Sequence, residues 1–162
     1  MKIGIISDTH DHREYAKKTV DIFNNENCSL IIHSGDFVAP FIINDLMNLK
    51  CPMIGVFGNN DGERKGLKSS ISLIGEVWEA PLRFSINEIN FLILHEPVEI
   101  DKLIEEGKNR IIIYGHTHRK DLRKEKNVLI INPGEAGGWL YGSSSIAILN
   151  LEHMSVDFID IK

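Results

Sequence analysis

The chain has 162 residues, 43% hydrophobic and 25% charged, which predicts one globular domain spanning residues 1–162 and excludes a disordered chain. Its 18 basic and 23 acidic residues give a formal net charge of -5 without long blocks of like charge, so duplex nucleic acid is not an expected partner. No apolar run approaches the length of a membrane span and the N-terminus lacks a leader pattern, so we expect no membrane association and a cytoplasmic location.

The first half of the chain alternates short apolar runs with amphipathic stretches. KIGIIS predicts a strand, and apolar residues recur after it at helical spacing from Tyr15 to Phe23. SLIIH predicts a second strand, a helix opens near Pro40, and MIGVF predicts a third strand. Strands that alternate with helices indicate a largely parallel sheet covered by helices.

The second half of the chain is richer in strands. RFSINEINFLIL predicts a hairpin that turns at Asn87 and Glu88, and a short helix follows from Ile100 to a cap at Gly107. Four further strands, RIIIY, VLIIN, SSIAIL and SVDFIDI, are expected to be joined mostly by hairpins. Two sheets packed face to face, with helices outside, would accommodate both halves. The predicted fold class is therefore α/β, a two-sheet β-sandwich flanked by helices.

Polar side chains recur directly after the predicted strands. The carboxyl ends of strands in α/β sheets are where ligand sites form, since loops converge there. The residues at these ends are Asp8, His10, Asp36, Asn59, His95, His116 and His118. Their carboxylate, amide and imidazole groups form a mixed nitrogen and oxygen set that suits divalent transition metals. One ion rarely takes more than six ligands and a hydrolytic site keeps positions open, so this set predicts two ions.

Each motif also has a purely structural interpretation when taken alone. Asp8 and His10 could cap the following helix, GNND is good turn chemistry, and His95 could be a hydrogen-bonded core histidine. The combination favours a metal centre, because that many crowded and unpaired polar groups would destabilise the fold by several kcal/mol.

These motifs resemble those of the calcineurin-like metallophosphoesterases, in particular their small archaeal and bacterial phosphodiesterases. The resemblance rests on DTH at 8–10, GD at 35–36, GNND at 58–61, the single His95 and GHTH at 115–118. It implies a four-layer αββα fold with Asp36 bridging two metals. The implied ligands are Asp8, His10, Asp36 and His118 for one metal, and Asp36, Asn59, His95 and His116 for the other. NPGE at 132–135 resembles a late family loop, for which we expect a turn near the site.

The resemblance implies a dinuclear phosphodiesterase that cleaves a small phosphodiester by attack of a metal-bridged hydroxide. Its cofactors would be two divalent ions of Mn, Ni, Co, Fe or Zn, and its catalytic residues Asp36, Asn59, Asn60 and His95. A phosphomonoesterase and a non-catalytic protein-interaction scaffold on the same fold are the alternatives. Homo-oligomerisation is left open by the sequence.

The sequence departs from the family pattern at two positions. Asn60 stands where many members have a histidine, and an amide cannot act as a general acid. Glu96 follows His95 and could be a ligand, an orienting group or, as we favour, a solvated loop residue.

Other residues near the motifs have ordinary structural interpretations. We expect His12 at the surface and a strand-end hydrogen bond for His33. Arg64 is interpreted as an exposed charge at a helix start or, less favoured, as a phosphate contact, and Trp139 as partial core or, less favoured, a stacking surface.

Overall fold

Two β-sheets lie face to face in the computed structural model, which describes residues 1–162. In chain order the strands are β1 Lys2–Ile6, β2 Leu30–His33, β3 Met53–Val56, β4 Gly75–Trp78, β5 Leu82–Ile86, β6 Ile89–Ile93, β7 Ile111–Ile113, β8 Lys120–Glu125, β9 Val128–Pro133, β10 Ser144–Asn150 and β11 Ser155–Ile161. The helices are α1 Arg13–Asn25, α2 Ile43–Leu46, which continues a 3₁₀ turn at Pro40–Ile42, α3 Arg64–Ile71 and α4 Ile100–Glu105. No helix has the length and apolarity needed to cross a membrane.

The first sheet has the order β11-β10-β1-β2-β3-β4. Strands β1 to β4 run parallel, as the alternation of strands and helices predicts, and β10 and β11 add an antiparallel pair beside β1. Helix α1 begins after His12, whose Nδ1 accepts a hydrogen bond from the Tyr15 N–H at 3.3 Å. Its buried face, with Val20 and Phe23, packs with α2 and α3 in the apolar layer outside this sheet.

The second sheet has the order β5-β6-β7-β9-β8 and faces the first across a second apolar layer. Ile3, Ile5 and Ile32 of the first sheet meet Ile111 and Ile131 of the second in this layer. Helix α4 covers the opposite face of the second sheet. With a helix layer on each outer face, the αββα architecture and the predicted fold class are confirmed.

The connections in the second half differ from the sequence prediction. The β5–β6 hairpin at Asn87 and Glu88 is confirmed, but β6, β7 and β9 are parallel rather than joined by hairpins. Strand β8 was not predicted, since its KDLRKE is mostly charged. It is an edge strand, and charged side chains on such a strand oppose its pairing with another chain. Edge strand β4 also went without a prediction, and helix α3 was anticipated only at its start, by the interpretation of Arg64.

Candidate metal centre

All seven predicted ligands lie together at one end of the two sheets. Asp8 and His10 follow β1, Asp36 follows β2 and Asn59 follows β3, while His95 follows β6 and the two histidines of GHTH follow β7. The first sheet thus supplies the oxygen atoms and one imidazole of the predicted set, and the second supplies the other three imidazoles. Asp8, Asp36 and His95 are buried, whereas Asn59 and His116 are exposed, so the cluster has a buried base and a side open to solvent.

One group of donor atoms consists of Asp8, His10 and His118. Asp8 Oδ1 lies 3.7 Å from His10 Nε2 and 3.4 Å from His118 Nε2, and the two imidazole rings stack. Asp8 Oδ1 and His10 Nε2 are buried and make no hydrogen bond. Buried polar atoms are almost always satisfied, so two unsatisfied atoms that face the same point fit a cation ligated between them.

A second group is formed by Asp36, Asn59, His95 and His116. His95 Nε2 lies 3.4 Å from Asp36 Oδ2 and 2.8 Å from Asn59 Oδ1, which is also 2.9 Å from His116 Nδ1. The other nitrogen of His95, Nδ1, lies 2.8 Å from the carbonyl oxygen of Ser34. A carbonyl can only accept, so Nδ1 carries a hydrogen and Nε2 is directed into the cluster.

The two groups are connected through aspartates. Asp36 Oδ2 is 3.6 Å from His10 Nε2 of the first group and 3.4 Å from His95 Nε2 of the second. Asp8 also forms a compact group with Asp36 and His95. Two carboxylates therefore lie between the groups, where the sequence prediction had placed Asp36 alone.

The backbone of five of these seven residues is left-handed. The φ angles are 53° for Asp8, 42° for His10, 61° for Asp36, 65° for His116 and 59° for His118. Such angles cost roughly 1 kcal/mol or more per residue and are concentrated at functional sites, where the surrounding structure enforces them. Here each strained residue lies in the loop that follows a buried strand.

Two glycines of the motifs are required because neighbouring side chains approach their backbone too closely for a Cβ atom. A Cβ on Gly58 would lie 2.1 Å from Asp36 Oδ1, and a Cβ on Gly115 would lie 2.0 Å from Ser7 Oγ and 2.8 Å from Asp8 Oδ2. Neither position has room for a side chain, so both glycines let the loops close over the two carboxylates.

The carboxylates and imidazoles shift one another's pKa values. Burial raises the pKa of Asp36, but the charge of His95 and two donors from Asn60 outweigh burial and bring this pKa well below its ordinary value. Burial lowers the pKa of His10 and His95, and the carboxylates of Asp8 and Asp36 outweigh it, so both pKa values are raised. The cluster thus keeps Asp36 ionised and favours positive charge beside it.

Two buried carboxylates that support the site were not predicted. Glu135 Oε2 lies 3.2 Å from His118 Nδ1 without the alignment of a hydrogen bond, and its oxygens accept hydrogen bonds from the backbone N–H groups of Trp139 and Leu140. Asp61 accepts hydrogen bonds from the N–H groups of Asp36, Val38 and Gly58. The only sequence signals were the Glu after N-P-G and the last residue of GNND.

The residues at the departures from the family pattern have clear positions. The backbone N–H of Asn60 donates to Asp36 Oδ1 at 2.8 Å and its Nδ2 donates to Oδ2 at 2.7 Å, so Asn60 holds the central carboxylate. The Glu96 side chain is exposed and makes no hydrogen bond or ion pair, in line with the favoured interpretation as a loop residue.

Several neighbouring residues can also be placed. His33 is buried and pairs with Thr9 Oγ1 and the Gly35 N–H, which confirms the strand-end hydrogen bond. The interpretation of Trp139 as partial core is wrong: it is 66% exposed and its indole N–H donates to the His10 carbonyl oxygen at 3.1 Å.

The chain is similar to known proteins over most of its length. Residues 1–154 match the calcineurin-like phosphoesterase superfamily domain. The chain is 42% identical over 156 residues to a phosphodiesterase of Methanocaldococcus jannaschii, and the alignment covers 94% of each chain. It is 27% identical to a probable metallophosphoesterase of Methanothermobacter thermautotrophicus, over 97% of this chain and 90% of that protein.

Solved structures extend the similarity. A structure described as a novel archaeal phosphodiesterase superposes with a TM-score of 0.94 at 39% identity, over 99% of this chain and all of that one. A single mutant of Vps29 from Entamoeba histolytica gives a TM-score of 0.73 at 16% identity over the full length of both chains, a likeness of fold alone.

Proposed function

We propose that this chain, which belongs to the calcineurin-like phosphoesterase superfamily and is a metal-dependent phosphoesterase, hydrolyses phosphodiesters at a dinuclear metal centre. The observation that carries the proposal is the pair of adjoining donor groups, joined through Asp36 and Asp8, at the ends of strands from both sheets. The similarity to a phosphodiesterase over 94% of the chain supports a diester as the substrate.

The proposed ligand sets overlap at one carboxylate. Asp8, His10, Asp36 and His118 would hold the first ion, and Asp36, Asn59, His95 and His116 the second. Asp36 has one oxygen within 3.6 Å of an imidazole from each set, which supports its role as the bridge. Mn, Ni, Co, Fe and Zn are the candidate ions, because imidazole and carboxylate together suit divalent transition metals.

The two ions, when bound, would act as Lewis acids toward the phosphoryl oxygens and would lower the pKa of a bound water to near neutral. The side chains of this chain arrange that chemistry. The bond from His95 Nδ1 to the Ser34 carbonyl keeps Nε2 directed into the site, and Asn60 fixes both oxygens of Asp36. The exposed Asn59 and His116 lie on the side from which a diester can enter.

Protonation of the leaving group is the step for which the chain has no evident residue. Asn60 cannot donate a proton, and its side-chain amide is already bonded to Asp36. We therefore infer that aryl diesters, whose leaving groups need no proton, are cleaved faster than alkyl diesters. Asp36, Asn59, Asn60 and His95 remain the proposed catalytic residues, in a single-domain, cytoplasmic enzyme that acts on small phosphodiesters without duplex nucleic acid as a partner.

The proposal is tested by reconstituting the metal-stripped protein with Mn, Ni, Co, Fe, Zn or Mg in turn. Each form is assayed with matched aryl diesters and aryl monoesters, and bound metal is measured by elemental analysis. We expect about two ions per chain in the active form and faster hydrolysis of the diester. Saturation at one ion would exclude the dinuclear centre, and faster monoester hydrolysis would indicate a phosphomonoesterase.

A further inference from the structure

A cavity of about 500 Å³ opens beside the second group of proposed ligands. Asn59 and His95 form part of its wall, so a group inside it lies directly against the proposed reaction site. The rest of its wall comes from the connection between β4 and β5, the start of α3, and the segment from Leu94 into α4. This volume lies within the roughly 300–1,000 Å³ typical of small-molecule sites.

Part of the cavity wall is apolar. Phe57, Pro81, Leu94 and Leu103 contribute to it. Phe57 and Leu94 are almost fully buried, so they form fixed parts of the wall. A ring that enters the cavity would remove apolar surface from water, which is favourable in proportion to the area buried.

The positive charge in the cavity wall, on Arg64, is already paired with other groups of the protein. The Arg64 guanidinium lies over the Phe57 ring, with 5.2 Å to its centroid. Its Nη1 pairs with Glu79 at 2.6 Å, and its Nε and Nη2 donate to the backbone carbonyl oxygens of Asp61 and Gly58. Arg64 therefore serves as a fixed wall and not as a free phosphate-binding group.

The negative charges in the wall are not all paired. Glu79 is neutralised by Arg64, and Glu99 pairs with Lys102 at 3.3 Å. Glu96 has no cationic partner and stands next to His95. An unpaired carboxylate beside an apolar wall attracts a cationic or hydrogen-bond-donating group and repels an anionic one.

We propose that this cavity receives one organic arm of the phosphodiester, and that Glu96 makes it select an aromatic arm with a cationic substituent over one with an anionic substituent. The inference rests on the proposed diesterase function, because it names the substrate class that would act at the same site. Glu96 is here a specificity-determining residue and not a metal ligand.

Binding to the metal-free protein tests the cavity without any turnover. Ligand-observed NMR is recorded with benzylamine, benzyl alcohol and benzoate as probes. We expect saturation transfer to the first two and little to benzoate. Leu103→Trp should fill the cavity and reduce transfer to both bound probes, while Leu73→Trp, at an exposed position outside the cavity, should not. Equal transfer to all three probes, or no effect of filling the cavity, would overturn the proposal.

Hydrolysis tests the selectivity itself. The substrates are symmetrical bis-aryl phosphates with 4-aminomethyl or 4-carboxy groups, so that either orientation places the same group in the cavity. We expect a kcat/KM ratio of about two- to fivefold for the cationic over the anionic diester, as an exposed charge pair allows. Glu96→Lys should invert this preference, whereas Glu152→Lys, the same change in an exposed turn outside the cavity, should preserve it.

The outcomes separate the two proposals. Each kcat/KM ratio compares two substrates on the same protein, so a change in metal occupancy between variants cancels from the ratio. Hydrolysis of both diesters with a ratio that Glu96→Lys does not change would overturn the specificity role and leave the diesterase standing. Selective probe binding without hydrolysis of any diester would instead overturn the proposed function. If Leu103→Trp fails to fold, the charge reversal at the exposed Glu96 remains decisive.

Discussion

The buried Glu135 gives the sharpest test of how this site is held. One of its oxygens lies 3.2 Å from His118 Nδ1, and its carboxylate accepts two backbone N–H groups from the loop at 139–140. We expect Glu135→Gln to weaken metal binding although Gln has nearly the same shape. With the amide oxygen kept on the backbone N–H groups, its NH₂ faces Nδ1 and must donate to it. If the charge of Glu135 holds the imidazole hydrogen on Nδ1, that hydrogen must then move to Nε2, the atom that faces Asp8.

The magnitude follows from the role of such contacts. Loss of a carboxylate that orients a ligating histidine typically costs about 10- to 100-fold in metal affinity, equal to about 1.4–2.7 kcal/mol. Glu135→Ala removes the backbone acceptor as well. We expect it to lower the free energy of unfolding of the metal-free protein by about 1–3 kcal/mol, the usual cost of unsatisfied buried groups.

Metal affinity is measured by competition with a chromogenic chelator, and stability by urea denaturation in the presence of a strong chelator. Glu152→Gln, an exposed glutamate in a turn, is the control and should match the wild type in both assays. If Glu135→Gln binds two ions as tightly as the wild type, Glu135 does not set the tautomer of His118, and its contacts serve only the loop.

Three further predictions test other contacts. Asp36→Asn should lower the bound metal toward zero and nearly abolish diester hydrolysis, whereas His10→Ala should lose mainly one ion; retention of most metal by Asp36→Asn would exclude the bridge. Asn60→His should flatten a plot of log kcat/KM against leaving-group pKa, because a general acid contributes about 10²- to 10⁴-fold mainly with basic leaving groups; equal slopes would mean that proton donation is not limiting. Burial lowers the pKa of His33 to about 3. His33 takes up a proton in the unfolded chain below about pH 6.5, so in the metal-free protein this residue should contribute a loss of roughly 1.5–2 kcal/mol in the free energy of unfolding between pH 6.5 and 5. His33→Gln should reduce that loss in urea titrations, and an unchanged pH dependence would contradict the assignment.

The clustering of the proposed ligands could be predicted from the sequence because the position of each one depends on local order. A buried strand followed within a few residues by Asp, Asn or His sets both the edge of the sheet and the direction of the side chain, as at Asp36 and His95. The contact between Glu135 and His118 depends instead on how the chain crosses from β9 to β10, which no local pattern records.

Other features depended on long-range context that the sequence pattern does not carry. Asn60 is typical of a turn, yet both its donors bond to Asp36 across 24 positions of the chain. Trp139 is a residue type that favours the core, but its loop holds it at the surface, with its indole on the backbone of His10. Strand β8 is stabilised by pairing with β9, and its charged residues give no sign of that pairing.

The distribution of the ligands between the two sheets has a consequence for biosynthesis. Asp8, His10 and Asp36 leave the ribosome long before the last imidazole, His118, is made. Strand β1 also remains half paired until β10, at residues 144–150, is translated and adds beside it. A nascent chain therefore has neither proposed ligand set complete until His116 and His118 are made, so we expect metal to bind late in translation or after it.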